Sequence, residues 1–201
     1  FALLVSGIVR LLWAGPKSST AVLPQSVREV DCHQELLILL WMALDINRWF
    51  AAFVLHQGGS RDGLLVKLVV PILYHMFRGR THPGRVGLVH VCTFVLLLLS
   101  GYREFAVALN AKHVAELPGL PSLPEDACYG DLLILVLQQV MMTGHRRLSS
   151  LYSCFLTIIS NSTPYLKRMS LPVAVKLSAL LHQLVRPAFL LAQPHRVALL
   201  R

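Results

Sequence analysis

The sequence predicts an all-α protein made of stacked helical hairpins, in the form of either an irregular α-solenoid or a helical bundle. Apolar residues recur at intervals of three and four along the chain, and no segment alternates apolar with polar residues as a half-buried strand does. Glycine and proline clusters divide the chain into roughly seven runs of helical length. Because no repeat of fixed period is visible, a solenoid is an expectation here.

The first two helices are predicted around residues 1–13 and 31–54. Gly15-Pro16 ends the first of them. Asp31, followed three residues later by Gln34, is typical of a capping box and predicts the start of the second. An apolar set at residues 50–54 either continues this second helix or restarts it.

The next helices are predicted at residues 65–76, 86–99 and 102–109. Pro71 lies inside the first of these segments, so we expect it to start, kink or shorten that helix. Residues 86–99 form the most apolar run in the chain, which predicts a buried helix.

Three prolines make a helix unfavourable between residues 110 and 130, and this long loop is a candidate boundary between two helical halves. After it, Asp131 is placed as the N-cap of a helix that Gly144 ends. Residues 148–159 follow the helical spacing most closely, and Ser170 opens a last helix. The chain begins at Phe1 and stops within an apolar pattern, so we expect residues 1–201 to be part of one larger helical domain.

The charge is distributed unevenly along a chain whose formal net charge is +9. Residues 1–131 contain all 10 acidic side chains beside 11 basic ones, whereas residues 132–201 contain 8 basic and no acidic side chains. The basic residues are scattered and lack interleaved aromatic residues, which argues against nucleic-acid binding. An acidic protein partner, anionic lipid headgroups, or acidic residues elsewhere in the full protein are the alternatives.

Two short basic loops are the candidate contact sites. We expect them to contact a partner or a membrane surface, although a solvated loop explains them as well. Their residues are Arg78, Arg80, Arg85, Arg146 and Arg147.

Residue spacing gives no support for catalysis. The nine histidines do not form a metal-binding helix motif, and the four cysteines contain no CxxC pair. Gly58, Gly59 and Gly63 lack the lysine and the preceding strand of a phosphate-binding loop. We therefore expect a protein that is not an enzyme and that has no cofactor, no metal and no catalytic residue.

A multi-pass integral membrane protein is the main alternative to a water-soluble scaffold. Hydrophobic residues make up 55% of the sequence and charged residues only 14%, against roughly a quarter in an ordinary soluble domain. However, the uncharged run at residues 86–99 is shorter than the roughly twenty residues that span a bilayer. Its length favours a helix buried in protein.

Four segments resemble the Hid-one (high-temperature-induced dauer-formation) and dymeclin family in the same order along the chain. They are HQELLILLW from His33, RVGLVHVCTFVLLLLSGYREFAVALN from Arg85, DLLILVLQQVMMTGHRRL from Asp131 and LTIISNSTPYLKRMS from Leu156.

The resemblance implies a longer, non-enzymatic cytosolic scaffold attached peripherally to Golgi or trans-Golgi membranes. It would act in secretory and dense-core vesicle biogenesis and in cargo sorting. Its partners would be other trafficking proteins, the Golgi membrane surface and the remaining parts of the same polypeptide.

Overall fold

The computed structural model describes residues 1–16, 32–56, 63–113 and 119–186, and the regular secondary structure in these ranges is helical. Within these ranges there is no strand, and an isolated bridge joins Lys112 to Cys128. The predicted all-α class is confirmed. The α-helices are α1 (Ala2–Leu12), α2 (His33–Ile46), α3 (Arg48–His56), α4 (Leu64–Gly79), α5 (Val86–Ser100), α6 (Arg103–Ala108), α7 (Tyr129–Thr143), α8 (Tyr152–Ser162) and α9 (Leu171–Leu184).

These helices pack in three layers. Helices α1, α4, α7 and α9 form layer A, and α2, α5 and α8 form layer B, with each helix packed against the next in its layer. Each of α1, α4 and α7 also packs on the layer-B helix that follows it in the chain. Layer C consists of α3, α6 and a short 3-10 turn at Thr163–Tyr165. Stacked three-element units of this kind form a solenoid.

The units begin at Ala2, Leu64, Tyr129 and Leu171, which are unevenly spaced along the chain. Because the connections between helices differ in length from unit to unit, the repeat has no fixed period in the sequence. The backbone turns sharply between layers B and C: α2 and α3 meet at 106°. The side chain of Asn47 caps the start of α3, because its Oδ1 accepts hydrogen bonds from the amides of Trp49 and Phe50 at 3.0 and 3.1 Å.

Helix α5 lies at the centre of the stack and packs on α2, α4 and α8. With the preceding 3-10 turn it forms an 18-residue segment, Pro83–Ser100, that is apolar and long enough to cross a membrane, although 44% of that segment is buried in the protein. Among the described helices, one further segment meets the same test if the bent pair α2 and α3 is counted as one. Contact with three neighbouring helices explains the apolar sequence of α5 without lipid.

Pro71 does not end α4, which runs without a break from Leu64 to Gly79. A proline lacks the amide hydrogen that would bond to the carbonyl four residues earlier, here that of Lys67. The indole Nε1 of Trp13 donates a hydrogen bond to this carbonyl at 2.7 Å. The sequence predicted that Pro71 would start, kink or shorten this helix. It neither starts nor shortens α4, and the side chain of Trp13, at the end of α1, supplies the missing donor.

A second polar contact joins the same two helices. The Nε2 atom of buried His75 in α4 lies 3.0 Å from the carbonyl oxygen of Leu12 at the end of α1, and because a carbonyl only accepts, this nitrogen carries the hydrogen. The pKa of His75 is lowered to about 4, chiefly by burial and to a smaller extent by the nearby His33 and Arg85, against the raising effect of the Leu12 bond. The ring is therefore neutral at physiological pH.

Asp131 has a different position from the one predicted. Helix α7 begins at Tyr129 with Cys128 as its N-cap, so Asp131 occupies the third helical position and closes a capping box. Its two carboxylate oxygens accept hydrogen bonds from the amides of Cys128 at 3.1 Å and of Ser170 at 3.0 Å. One buried carboxylate thus satisfies amides at the starts of both α7 and α9.

Other predicted boundaries are close to the observed ones. Gly144 ends α7, and Ser170 is the N-cap of α9. Residues 148–151, predicted as the first turn of the helix at residues 148–159, belong instead to a 3-10 turn, Arg146–Leu151, before α8. The predicted cap Asp31 lies outside the described residues.

Hydrogen bonds join the two ends of the loop at residues 110–130. The amides of Tyr129 and Gly130 donate hydrogen bonds to the carbonyls of Ala111 and Leu109 at 3.2 and 3.0 Å. One hydrophobic cluster contains buried residues from both sides of this loop. The proposed sub-boundary within residues 110–130 stays a prediction.

We expect Trp13→Phe to lower the free energy of unfolding by about 0.5–1 kcal/mol, because the carbonyl of Lys67 then loses its donor within the protein. In a Pro71→Ala background the same change should cost less, since the amide of an alanine can bond to that carbonyl. Urea denaturation of the four proteins in this double-mutant cycle measures the difference. Equal costs in both backgrounds would contradict the assigned bond.

We expect acid to destabilise the fold through His75. Below pH 6.5 the unfolded chain binds a proton that the folded ring, with a pKa of about 4, does not, so stability falls as the pH decreases from 6.5 towards 4. The loss between pH 7 and pH 5 should be about 2 kcal/mol. In His75→Gln, which keeps a donor for Leu12, urea denaturation should show a pH dependence flatter by that amount. Parallel pH curves for the two proteins would rule out this role.

Candidate functional site

The five arginines singled out in the sequence lie in two turns at one edge of the stack. Arg78, Arg80 and Arg85 stand at or after the end of α4 and before α5, and Arg146 and Arg147 stand between α7 and α8. Both turns lead from layer A to layer B. Because α4 packs on α7 and α5 packs on the turn before α8, the two turns are neighbours, and we name this surface the basic edge.

Arg80 joins the two turns. Its backbone carbonyl accepts a hydrogen bond from the amide of His145 at 2.6 Å, and its Nε donates to Oγ1 of Thr143 at 3.0 Å. One of its terminal nitrogens donates to the carbonyl of Phe77 at 2.6 Å, and the guanidinium carbon lies 3.6 Å from the centre of the Phe77 ring.

Partial burial, then the positive charge of Arg78, lowers the pKa of Arg80. An arginine stays charged in spite of such a shift. Since two of its nitrogens bond within the protein, Arg80 positions the basic edge, whereas the other four arginines are available to bind.

Arg78, Arg85, Arg146 and Arg147 are exposed to solvent. Within the part of the chain that the structure describes, no carboxylate forms an ion pair with any of them, and their guanidinium groups donate no hydrogen bond. Unpaired guanidinium groups bind phosphate and carboxylate oxygens, often through two parallel hydrogen bonds. The basic edge is therefore chemically suited to a polyanionic surface.

A glycine at the end of each helix allows the chain to pass close to neighbouring atoms as it turns. A Cβ atom at Gly79 would lie 3.1 Å from Val89, and one at Gly144 would collide with the carbonyl oxygen of Val140. In both turns basic residues follow the glycine closely. In the sequence, each of the two helices ends in a glycine that is followed by arginine or histidine. This shared pattern could have identified the two turns as equivalent. Their contact depends on tertiary packing.

The two buried cysteines are in environments that disfavour a reactive thiolate. Burial raises the pKa of the Cys92 and Cys128 thiols, which disfavours the reactive thiolate. Cys32 is exposed and Cys154 is half-buried. Among the described residues no three histidine, cysteine, aspartate or glutamate side chains come together in a way that could hold a metal ion.

A shallow groove lies between α3 and α6 in layer C. It is lined by Arg48, Ala52, Leu55, His56, Tyr102 and Glu104. Its charged groups are exposed to water, where neither burial nor a fixed partner prepares them for acid or base catalysis.

Comparisons with known proteins identify relatives along the whole chain. The profile of the family described as High-temperature-induced dauer-formation protein matches residues 1–201. Human Protein HID1 is 40% identical over 200 residues, which is 98% of this chain and 24% of the relative. Mouse Protein HID1 is 41% identical over 182 residues, which is 90% of this chain and 22% of the relative.

A third relative comes from fission yeast. The Ubp5-interacting protein ftp105 of Schizosaccharomyces pombe is 25% identical over 203 residues, which is 100% of this chain and 21% of the relative. No solved structure matches the chain.

The chain therefore spans less than a quarter of the length of each of these relatives. The family profile covers every residue of it, including the basic edge and all nine described helices. On this match, the chain belongs to the Hid-one family of high-temperature-induced dauer-formation proteins.

Proposed function

We propose that this chain is part of a non-enzymatic scaffold that associates peripherally with the cytosolic side of Golgi or trans-Golgi membranes. In this role it acts in secretory and dense-core vesicle biogenesis and in cargo sorting. Membership of the Hid-one family supports the proposal, since the family resemblance implies these activities. Other trafficking proteins would be its protein partners.

The architecture suits a protein that works by binding. Stacked helical units present long, continuous surfaces on which partners dock without any bond chemistry. The name of the fission yeast relative describes a protein that interacts with Ubp5. A protein-binding role for this chain agrees with that name.

The basic edge is the observation that carries the membrane part of the proposal. Four exposed arginines lie in two neighbouring turns, and Arg80 links these turns to each other. Juxtamembrane clusters of basic residues bind the negative surface potential of cytoplasmic leaflets, each with a modest contribution that sums over the cluster.

We expect charge reversal at the basic edge to abolish most binding to anionic vesicles. The variant carries Arg78→Glu, Arg85→Glu, Arg146→Glu and Arg147→Glu and leaves Arg80 in place. Sedimentation with vesicles of mixed neutral and phosphoinositide lipids should show at least about a tenfold weaker association than the parent. The binding of the parent should weaken as salt is added.

The matched control reverses four other exposed basic residues and so changes the net charge by the same amount. These are Arg10, Arg48, Lys176 and Arg186. This control should retain vesicle binding within about twofold. Equal loss in both variants would assign the binding to overall charge, and retained binding in the first variant would remove the basic edge as the contact site.

We also expect the full-length protein to leave Golgi membranes on alkaline carbonate extraction, because α5 is packed between protein helices. Release into the soluble fraction, with an integral membrane protein retained in the pellet as control, would agree with peripheral attachment. Retention of the full-length protein would favour the alternative in which apolar segments enter the bilayer.

A further inference from the structure

The two ends of the helical stack differ from its middle. In α4 nearly every side chain from Leu65 to Phe77 is buried, since α1, α5 and α7 surround that helix. In α2, by contrast, the buried residues Leu37, Leu40 and Leu44 occupy one face. The side of α2 that points away from α5 has no neighbour among the described helices.

That open side of α2 is apolar beyond its first turn, where exposed Glu35 lies on the same face. Leu39, Met42 and Ile46 are 60%, 43% and 75% exposed, and their spacing of three and four residues aligns them on the face opposite the buried one. The apolar stripes on both sides of α2 are what a helix needs when it is buried between two neighbours. Only one neighbour, α5, is present within layer B.

The other two layers also expose apolar side chains, although the side of α1 that carries Leu3 carries Ser6 and Arg10 as well. In α1 of layer A, Leu3 and Leu4 are 90% and 52% exposed, and in α3 of layer C, Trp49 is 81% exposed. Large apolar side chains are therefore uncovered across all three layers at this end. We name the surface formed by Leu3, Leu4, Leu39, Met42, Ile46 and Trp49 the leading face.

The opposite end of layer B provides an internal comparison. Helix α8 exposes Ser153, Thr157 and Ser160, again at spacings of four and three residues. Here the outward face is polar, as expected where a helix meets water. A terminal unit of a solenoid needs a polar outer face to stay soluble, and α8 meets this requirement in layer B whereas α2 does not.

We propose that the leading face is an interface between units, covered by a further three-element helical unit of the same polypeptide from outside residues 1–201. The relatives are more than four times as long as the matched segment, so the family has ample additional chain. Chain order runs in one direction along the stack, from α1 to α9, which places the covering unit before residue 1. It docks one helix on α1, one on α2 and a shorter segment beside Trp49.

In layer B a second copy of this chain fits the leading face less well, although α9 of layer A exposes Leu171, Val175 and Leu181. Stacked head to tail, the copy would place the hydroxyl groups of Ser153, Thr157 and Ser160 against Leu39, Met42 and Ile46. Burying these hydroxyls against aliphatic side chains without hydrogen-bond partners is unfavourable. An earlier unit of the same protein can instead present a fully apolar face.

Cysteine accessibility in the full-length protein tests this assignment. In a Cys32→Ser, Cys154→Ser background, Leu39→Cys reports on the leading face, and Thr81→Cys, in the exposed turn after α4, is the matched control. We expect a maleimide to label Leu39→Cys at least about tenfold more slowly than Thr81→Cys in the native protein and at equal rates in urea. Circular dichroism and thermal unfolding like those of the parent establish that both variants fold.

A photo-crosslinker attached at Leu39→Cys then identifies the covering segment. Crosslinks to residues of the same polypeptide that precede Phe1 would support the proposal. Labelling of Leu39→Cys as fast as that of the control would overturn it. So would crosslinks to a different protein, or protection that disappears when the protein is diluted to monomers, which would identify a second copy.

Discussion

Burial of α4 and α5 on nearly every side is the constraint on which this structure depends. Packing on several sides brings neighbouring helices close enough to supply hydrogen-bond partners for the polar groups of these two helices. The carbonyl of Lys67 receives no hydrogen bond from Pro71, and the indole of Trp13 is its donor instead. The same burial keeps the ring of His75 neutral and able to donate to Leu12.

Polar contacts recur at each junction between consecutive helices of layer A. Trp13 and His75 join α1 to α4, Arg80 joins the end of α4 to the end of α7, and Asp131 joins the start of α7 to that of α9. Apolar faces rich in leucine and valine can pack in several registers, because dispersion and burial are not directional. A directional bond at each junction favours one register. Arg80, in addition, brings the two arginine turns together.

The helices, and with them much of the candidate surface, could be predicted from apolar periodicity and from the glycines and prolines between the segments. The positions of Gly144 and Ser170 were predicted correctly because these residues act through the local backbone. The prediction that Pro71 starts or shortens its helix and the placing of Asp131 as an N-cap were wrong. For Pro71 the donor that replaces the missing amide, Trp13, lies far away in the sequence, and Asp131 bonds both to the nearby amide of Cys128 and to the distant amide of Ser170.

By itself, the sequence determined the helical class, the approximate helices and the presence of five arginines in two loops, since these depend on residue spacing within a few turns. Only the tertiary structure decided that the helices form three layers, that the loops make one basic edge, and that α2 presents an uncovered apolar face. Each of these depends on which helices pack side by side. Because the connections between units differ in length, the amino-acid sequence shows no regular repeat from which that packing could be predicted.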